Sequence, residues 1–382
     1  MKLSLYAIQL LIIITIIIWQ PALFAQDNTK TAPININATV LPQIKLKQKI
    51  TESDSFLINN IKFSEQGKYF AAFFNGKKTI KIFNSETGVM VSELGPELLF
   101  KNKSIDTLQF IGKDSSLLLV TKGRQPIKII KWKEKKIKTE IALNINSFKI
   151  NDVVLSPDNK ILAVAHQKGL YILDFTQFKT HWAFFDNEDI RAIDISPDNK
   201  YLVYAKAGLS VDCVGMINLT LFEITDKPLE KLHLLSSTQA LNHEIVYLDY
   251  INTNKILAAY QGIDTLYYSD QKAGLYIINL EKNILRGPLI LSGPKISMVS
   301  YLKLYDGILA SSFGYKRDGT IISDIDYANI LRFDKIKTYI DLSLKNPILD
   351  VSVSPDSKTM VTAIKEKNGV SLYIYSLIKQ EE

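Results

Sequence analysis

The chain has 382 residues, 47% of them hydrophobic, and 46 Lys and Arg against 39 Asp and Glu, a formal net charge of +7. That apolar content excludes a disordered tail and a collagen. The single cysteine, Cys213, excludes an intramolecular disulfide, a cysteine-based zinc site and an iron–sulfur cluster.

The first element is a secretory signal over residues 1–25. Lys2 gives the positive start, Leu3 to Trp19 is almost wholly apolar, and Gln20-Pro21 breaks the run. Leu23-Phe24-Ala25 then offers a small residue before Gln26, the order of an export signal. Leu23 fits the cleavage pattern poorly, which leaves an uncleaved anchor as the alternative. Export puts the chain in the periplasm or outside the cell, with no integral span after cleavage. Residues 26–39 read as a linker. Arginine occurs only at positions 124, 191, 286, 317 and 332, so the basic residues are almost all Lys. Nucleic-acid readers lean on Arg forks, so an exported, Arg-poor chain does not fit that class.

From residue 40 onward a unit of four short strands recurs about every 48 residues. Its marker is Ser-Pro-Asp-x-Lys, found at 156–160, 196–200 and 354–358, with an eroded copy at Ser64-Glu65-Gln66-Gly67-Lys68. Pro presets φ and Asp bonds its own downstream backbone, so each copy predicts a tight turn. Before each turn stand two apolar residues two apart. They are Ile61/Phe63, Leu108/Phe110, Val153/Leu155, Ile193/Ile195, Leu248/Tyr250, Leu302/Leu304 and Val351/Val353. The residue between them is polar except at Val154, so each pair marks a strand with one buried face. Second, third and fourth strands follow, as at Ile161–Ala165, Leu170–Phe175 and His181–Phe185. Residues 348–377 supply only three strands, and Val40–Ile50 is a lone strand ahead of the first unit. The expectation is an all-β chain: a seven-bladed β-propeller of four-stranded antiparallel blades over 40–382, its ring closed by the N-terminal strand.

The Ser-Pro-Asp-x-Lys turns, followed by strands ending as Leu173-Asp174-Phe175, resemble bacterial WD-repeat propellers over nearly all the mature chain. The resemblance implies the fold and leaves the function open. The Trp-Asp strand ends and Gly-His openings of true WD repeats are absent.

In such a ring the connections between second and third strands share one face. Those at Ala207–Met216, Gly262–Ala273 and Tyr315–Tyr327 are long and belong to consecutive blades 4, 5 and 6. Long loops on rigid blades commonly carry function. This wall offers Asp212, Asp264, Tyr267, Tyr268, Asp270, Arg317, Asp318, Asp324, Asp326 and Tyr327 as a partner-binding set. The facing arc is basic, with Lys365, Lys367, Lys77, Lys78, Lys122 and Arg124. Tyrosine and arginine are favoured where proteins meet. No cofactor is implied; Asp318…Asp324-x-Asp326 could supply oxygens to calcium or be a solvated loop. A second candidate is the channel mouth, where Asn60, Asp106, Asp152, Arg191, Glu244 and Asp350 precede or open the first strands. Cys213, Trp132 and Trp182 read as packing residues, and His181 and His233 lie at no ligand spacing. Three functions follow: an exported, non-catalytic platform docking another envelope or extracellular protein; a metal-dependent hydrolase at the channel mouth; or a carbohydrate or small-ligand binder using Tyr267, Tyr268 and Tyr327.

Overall fold

A computed structural model describes residues 42–379, apart from 53–56, 101–104, 122–126, 142–148, 178, 185–188, 207–217, 224–230, 237–243, 262–271, 283, 292, 294, 316–320, 331–337, 341–345 and 347. Its described residues form antiparallel sheets in a propeller-like arrangement, with no α-helix among them.

Six four-stranded sheets are each built from consecutive strands. The first holds β2 (Ile58–Phe63), β3 (Tyr69–Phe74), β4 (Thr79–Asn84) and β5 (Met90–Leu94). The second holds β6 (Thr107–Ile111), β7 (Ser116–Val120), β8 (Ile127–Lys131) and β9 (Lys136–Ile141). The third holds β10 (Ile150–Leu155), β11 (Ile161–His166), β12 (Gly169–Asp174) and β13 (Lys179–Phe184). The fourth holds β14 (Ile190–Ile195), β15 (Tyr201–Lys206), β16 (Asn218–Glu223) and β17 (Lys231–Ser236). The fifth holds β18 (Glu244–Asn252), β19 (Lys255–Gln261), β20 (Gly274–Asn279) and β21 (Ile284–Ile290). The sixth holds β22 (Lys295–Leu302), β23 (Gly307–Tyr315), β24 (Ile321–Asn329) and β25 (Thr338–Ile340). A further sheet is composite: β26 (Ile348–Val353), β27 (Thr359–Glu366) and β28 (Gly369–Ile378) are joined by β1 (Gln43–Glu52), which pairs antiparallel with β28.

The Ser-Pro-Asp-x-Lys turns behave as their chemistry dictates. Ser156 Oγ donates to Asp158 Oδ1 at 2.6 Å and accepts from the Ile161 N–H at 2.9 Å. Asn159 sits at φ 59°, a left-handed position that Asn tolerates. The same bonds recur at Ser196 and Ser354. The eroded copy keeps its shape because Gly67 takes the left-handed position at φ 71°.

The core lies between sheets rather than at one centre. Seven apolar clusters each join two neighbouring sheets, as where Phe73 and Ile82 of the first meet Phe110 and Trp132 of the second. One cluster joins the composite sheet to the first, with Val361 and Leu372 against Phe70 and Phe83.

The register corrects one expectation. Val299 faces Ala310 and Tyr301 faces Ile308, the places held by Leu248 and Tyr250 in the fifth sheet. The apolar pair of the sixth unit is therefore Val299/Tyr301, not Leu302/Leu304. Leu304 lies in a 3-10 turn, Lys303–Tyr305, and is 39% exposed. Pro288 sits inside β21 at a register shift, on an outer strand where a missing N–H is tolerated.

Close packing gives a first prediction. Tyr260 and Gly274 are cross-strand partners, and a Cβ on Gly274 would lie 2.3 Å from the buried Tyr260 hydroxyl. Gly274→Ala is expected to lower stability by about 1–3 kcal/mol through overpacking, read as a lower urea midpoint. An unchanged midpoint would show that the Tyr260 ring moves aside freely.

Candidate functional site

The first strands of five sheets, β2, β6, β10, β14 and β18, contribute residues to a cavity of about 460 Å³. Five innermost strands share a local device. An isoleucine (Ile150, Ile190, Ile245, Ile296 or Ile348) is followed by a register shift against the second strand. Such a bulge re-aims the residues after it. In the first sheet Asn60, at φ 57°, makes the equivalent kink.

Polar groups at these kinks tie one sheet to the next. Asn60 Nδ2 donates to the Ile105 carbonyl at 2.6 Å, and Asn151 Nδ2 to the Ile190 carbonyl at 2.7 Å. Three carboxylates do the same for backbone donors. Asp350 accepts from Val351 N–H and, across the junction, from Ile61 N–H, both at 2.8 Å. Asp152 accepts from Val153 N–H at 2.8 Å and Ile193 N–H at 3.0 Å. Asp194 accepts from Ile195 N–H at 2.8 Å and Tyr250 N–H at 2.6 Å. Each carboxylate thus spends one oxygen on its own strand and one on its neighbour's.

The electrostatics follow from burying these acids. Burial pushes Asp249 up to about 6, although the Tyr247 hydroxyl bond and Lys62 hold it down. Burial also raises Asp350 to about 6, against the Ile61 N–H bond and Lys62. Asp194 is raised well above the usual carboxylate range by burial and then by the neighbouring charge of Asp249. Tyr247, which donates to Asp249 Oδ2 at 3.2 Å, is raised too, by burial first. Lys62 is the cation facing this set.

Of the channel-mouth expectations, Asn60, Asp106 and Asp152 line the cavity, and Asp350 holds the junction between the composite and first sheets. Arg191 is instead paired with Asp189 at 2.7 Å. Glu244 opens β18, opposite Gln261. Lys62, Asp194, Tyr247 and Asp249 also line the cavity, beyond the residues expected at the channel mouth. Their signal was present: Lys62, Asp194 and Asp249 are the polar residues between the paired apolar ones.

The loop wall fares differently. Asp212, Asp264, Tyr267, Tyr268, Asp270, Arg317 and Asp318 lie outside the described residues, as do Cys213, Lys122 and Arg124. Asp324, Asp326 and Tyr327 are not on a loop. They lie in β24, facing Ser312, Ala310 and Leu309 of β23. Asp326 and Tyr327 are each only 1% exposed, and Tyr327 donates its hydroxyl to the Tyr305 carbonyl at 3.3 Å. Both are core residues because β24 is covered on both faces: Ile325 and Tyr327 pack in the cluster with Leu309, while Ala328, on the face of Asp326, packs in the cluster with Ala310. On the basic arc, Lys77 approaches Glu52 at 3.9 Å and Lys78 donates to Asn75 at 2.5 Å. Trp132 is buried, as expected of a packing residue. Among the described residues no three His, Cys, Asp or Glu gather closely enough to hold a metal ion.

His166 ends β11, fully buried, and accepts from the Lys168 N–H at Nδ1. Burial lowers it from 6.5 to about 4, against the pull of Asp189. The unfolded chain therefore binds more protons between those values, so stability is complete above about pH 6.5 and falls as pH drops toward 4. The stability advantage of the native protein over a His166→Phe variant is expected to be larger at pH 7.5 than at pH 5 in urea melts. An advantage independent of pH would show that the ring does not titrate.

No known protein-family model matches the chain, and no curated protein matches it. Its functional reading rests on its own residues.

Proposed function

We propose that this chain is an exported, non-catalytic propeller that docks another envelope or extracellular protein. In this reading the sheets are seven blades of one ring, with β1 supplying the outer strand of the last. The apolar clusters between successive sheets and the β1–β28 pairing support it. The fold is consistent with a rigid platform whose connections vary freely.

The observation that carries the docking reading is the β23/β24 hairpin. In the third sheet the second and third strands end at His166 and Gly169, opposite Ile150. In the sixth sheet Ser312 holds the place of His166, yet pairing continues through Phe313↔Ser323, Gly314↔Ile322 and Tyr315↔Ile321. Three further residues extend the hairpin by about 10 Å. Residues 207–217 and 262–271 connect the equivalent strands of the two preceding sheets, so blades 4, 5 and 6 remain the docking arc. The core places of Asp326 and Tyr327 remove them from that surface.

The test exploits the pairing. Phe313 and Ser323 face each other, so a two-residue Asn-Gly turn can join them in place of residues 314–322. Intact and shortened proteins are used as bait on the native envelope, and captured proteins are then titrated against both. A partner that binds the intact protein and is lost with the tip, at unchanged thermal stability, supports the reading. A partner that binds both equally removes the hairpin from it.

The channel supports a second reading, a small polar ligand among Lys62, Gln109 and Asp249. A thermal shift with a polar ligand that Asp249→Asn abolishes would favour it over docking.

A further inference from the structure

The place between the paired apolar residues of each first strand changes character from sheet to sheet. Lys62 holds it in the first sheet, facing Ala71, and Gln109 in the second, facing Leu118. Val154 holds it in the third, facing Ala163. Asp194 and Asp249 hold it in the fourth and fifth, facing Val203 and Leu257. All five line the same cavity, and apolar clusters join each of these sheets to the next. Along its wall, in order, stand a cation, a neutral amide, an apolar side chain and two carboxylates.

Both charged ends of this wall are open to a ligand. Lys62 is exposed and, among the described residues, forms no hydrogen bond or ion pair. Its charge nevertheless acts on Asp249, so the two share the cavity without pairing. The Gln109 amide likewise has no hydrogen-bond partner among the described residues. At the acidic end, Asp194 engages both oxygens with backbone N–H groups of two sheets, as Asp152 does. Asp249 holds the equivalent place in the next sheet, yet among the described residues it accepts only from the Tyr247 hydroxyl of its own strand. It ties no sheets together and lays its charge beside Asp194. Such a carboxylate costs stability, and departures of this kind concentrate at functional sites. A cavity of about 460 Å³ is within the usual range for small-molecule sites. Opposite charges held apart across an apolar wall complement a molecule that carries its own two charges on a carbon chain.

We propose that the cavity binds a small aliphatic amino acid as its zwitterion. Its carboxylate meets Lys62 and the Gln109 amide, its carbon chain lies along Val154, and its ammonium group meets Asp249. This rests on the polar-ligand reading of the cavity and names the class of ligand; it is independent of the docking arc.

Isothermal titration calorimetry of the intact protein near neutral pH tests this. The probes are glycine, γ-aminobutyrate and L-lysine, each beside analogues that keep only the amine or only the carboxylate. The tightest-binding amino acid is expected to bind at least about 10-fold more tightly than either of its analogues. Lys62→Met is expected to reduce its affinity to that of the amine-only analogue, and Asp249→Asn to that of the carboxylate-only analogue. Urea midpoints of both variants confirm that they fold. If none of the three amino acids binds at millimolar concentration, the proposal is overturned; a thermal shift with another polar ligand would then keep the cavity as a site for a different class. Two variants that bind the amino acid as the native protein does also overturn it. An amine-only analogue that binds as tightly as the amino acid, and is lost with Asp249→Asn, overturns the zwitterion while the polar-ligand reading stands.

Discussion

Trp132→Ala is expected to cost about 3–5 kcal/mol, the largest loss from a single side chain in the propeller-like core. Trp132 follows β8 and is 2% exposed. Its ring meets Tyr69 edge-on at 5.2 Å and Phe110 at 6.4 Å, so it touches the first and second sheets together. Its Nε1–H donates to the Asp114 carbonyl at 2.7 Å, and its own carbonyl accepts from Ser92 Oγ at 3.2 Å. Alanine would leave a cavity at a junction between sheets and orphan the Asp114 carbonyl. Trp132→Phe keeps most of the volume and loses the donor, an expected cost of about 1–2 kcal/mol. Urea unfolding of the three proteins separates the terms. An alanine variant within about 1 kcal/mol of the native protein would mean that the junction collapses onto the vacated space.

The same junctions show what the sequence could and could not reveal. The Ser-Pro-Asp-x-Lys turns were legible because their bonds close within six residues, from Ser156 to Ile161. The apolar pairs of the innermost strands were legible because alternation is a local consequence of one buried face. The sixth unit was misread where that locality failed. Its turn, Lys303-Leu304-Tyr305-Asp306, carries no Ser-Pro-Asp, and Leu302 and Leu304 mimic the apolar pair three residues late. The run from Ile321 to Tyr327 reads as an acidic loop because Asp324 and Asp326 interrupt its apolar residues. The period-two alternation of Ile325 and Tyr327 was the better guide. The channel site was least legible. Asp350 meets Ile61 across 289 residues of chain, a separation that no local pattern encodes.

That long-range carboxylate carries the second large effect. Asp350→Ala is expected to cost about 2–4 kcal/mol, because it removes the acceptor for the Ile61 and Val351 N–H groups where the composite sheet meets the first. Asp249→Asn should act in the opposite direction near neutral pH. Asp249 accepts a hydrogen bond from the Tyr247 hydroxyl, and an asparagine carbonyl can accept it as well. The substitution removes a buried charge from beside Asp194 and is expected to stabilise by about 1–3 kcal/mol at pH 7.5. The pH dependence separates the two roles. Burial raises Asp249 from 3.8 to about 6, so its contribution to stability is fully present below pH 3.8 and lost as pH rises through about 6. The gain from Asp249→Asn should therefore be present at pH 7.5 and largely gone by pH 4.5. Asp350 is raised to about 6 as well, yet its loss to alanine should persist at both values, because removing the side chain orphans two backbone donors whatever its charge. Urea midpoints of the three proteins at pH 7.5 and 4.5 decide the matter. If Asp249→Asn destabilised equally at both, the channel carboxylate would be an acceptor that the fold requires rather than a charge it tolerates.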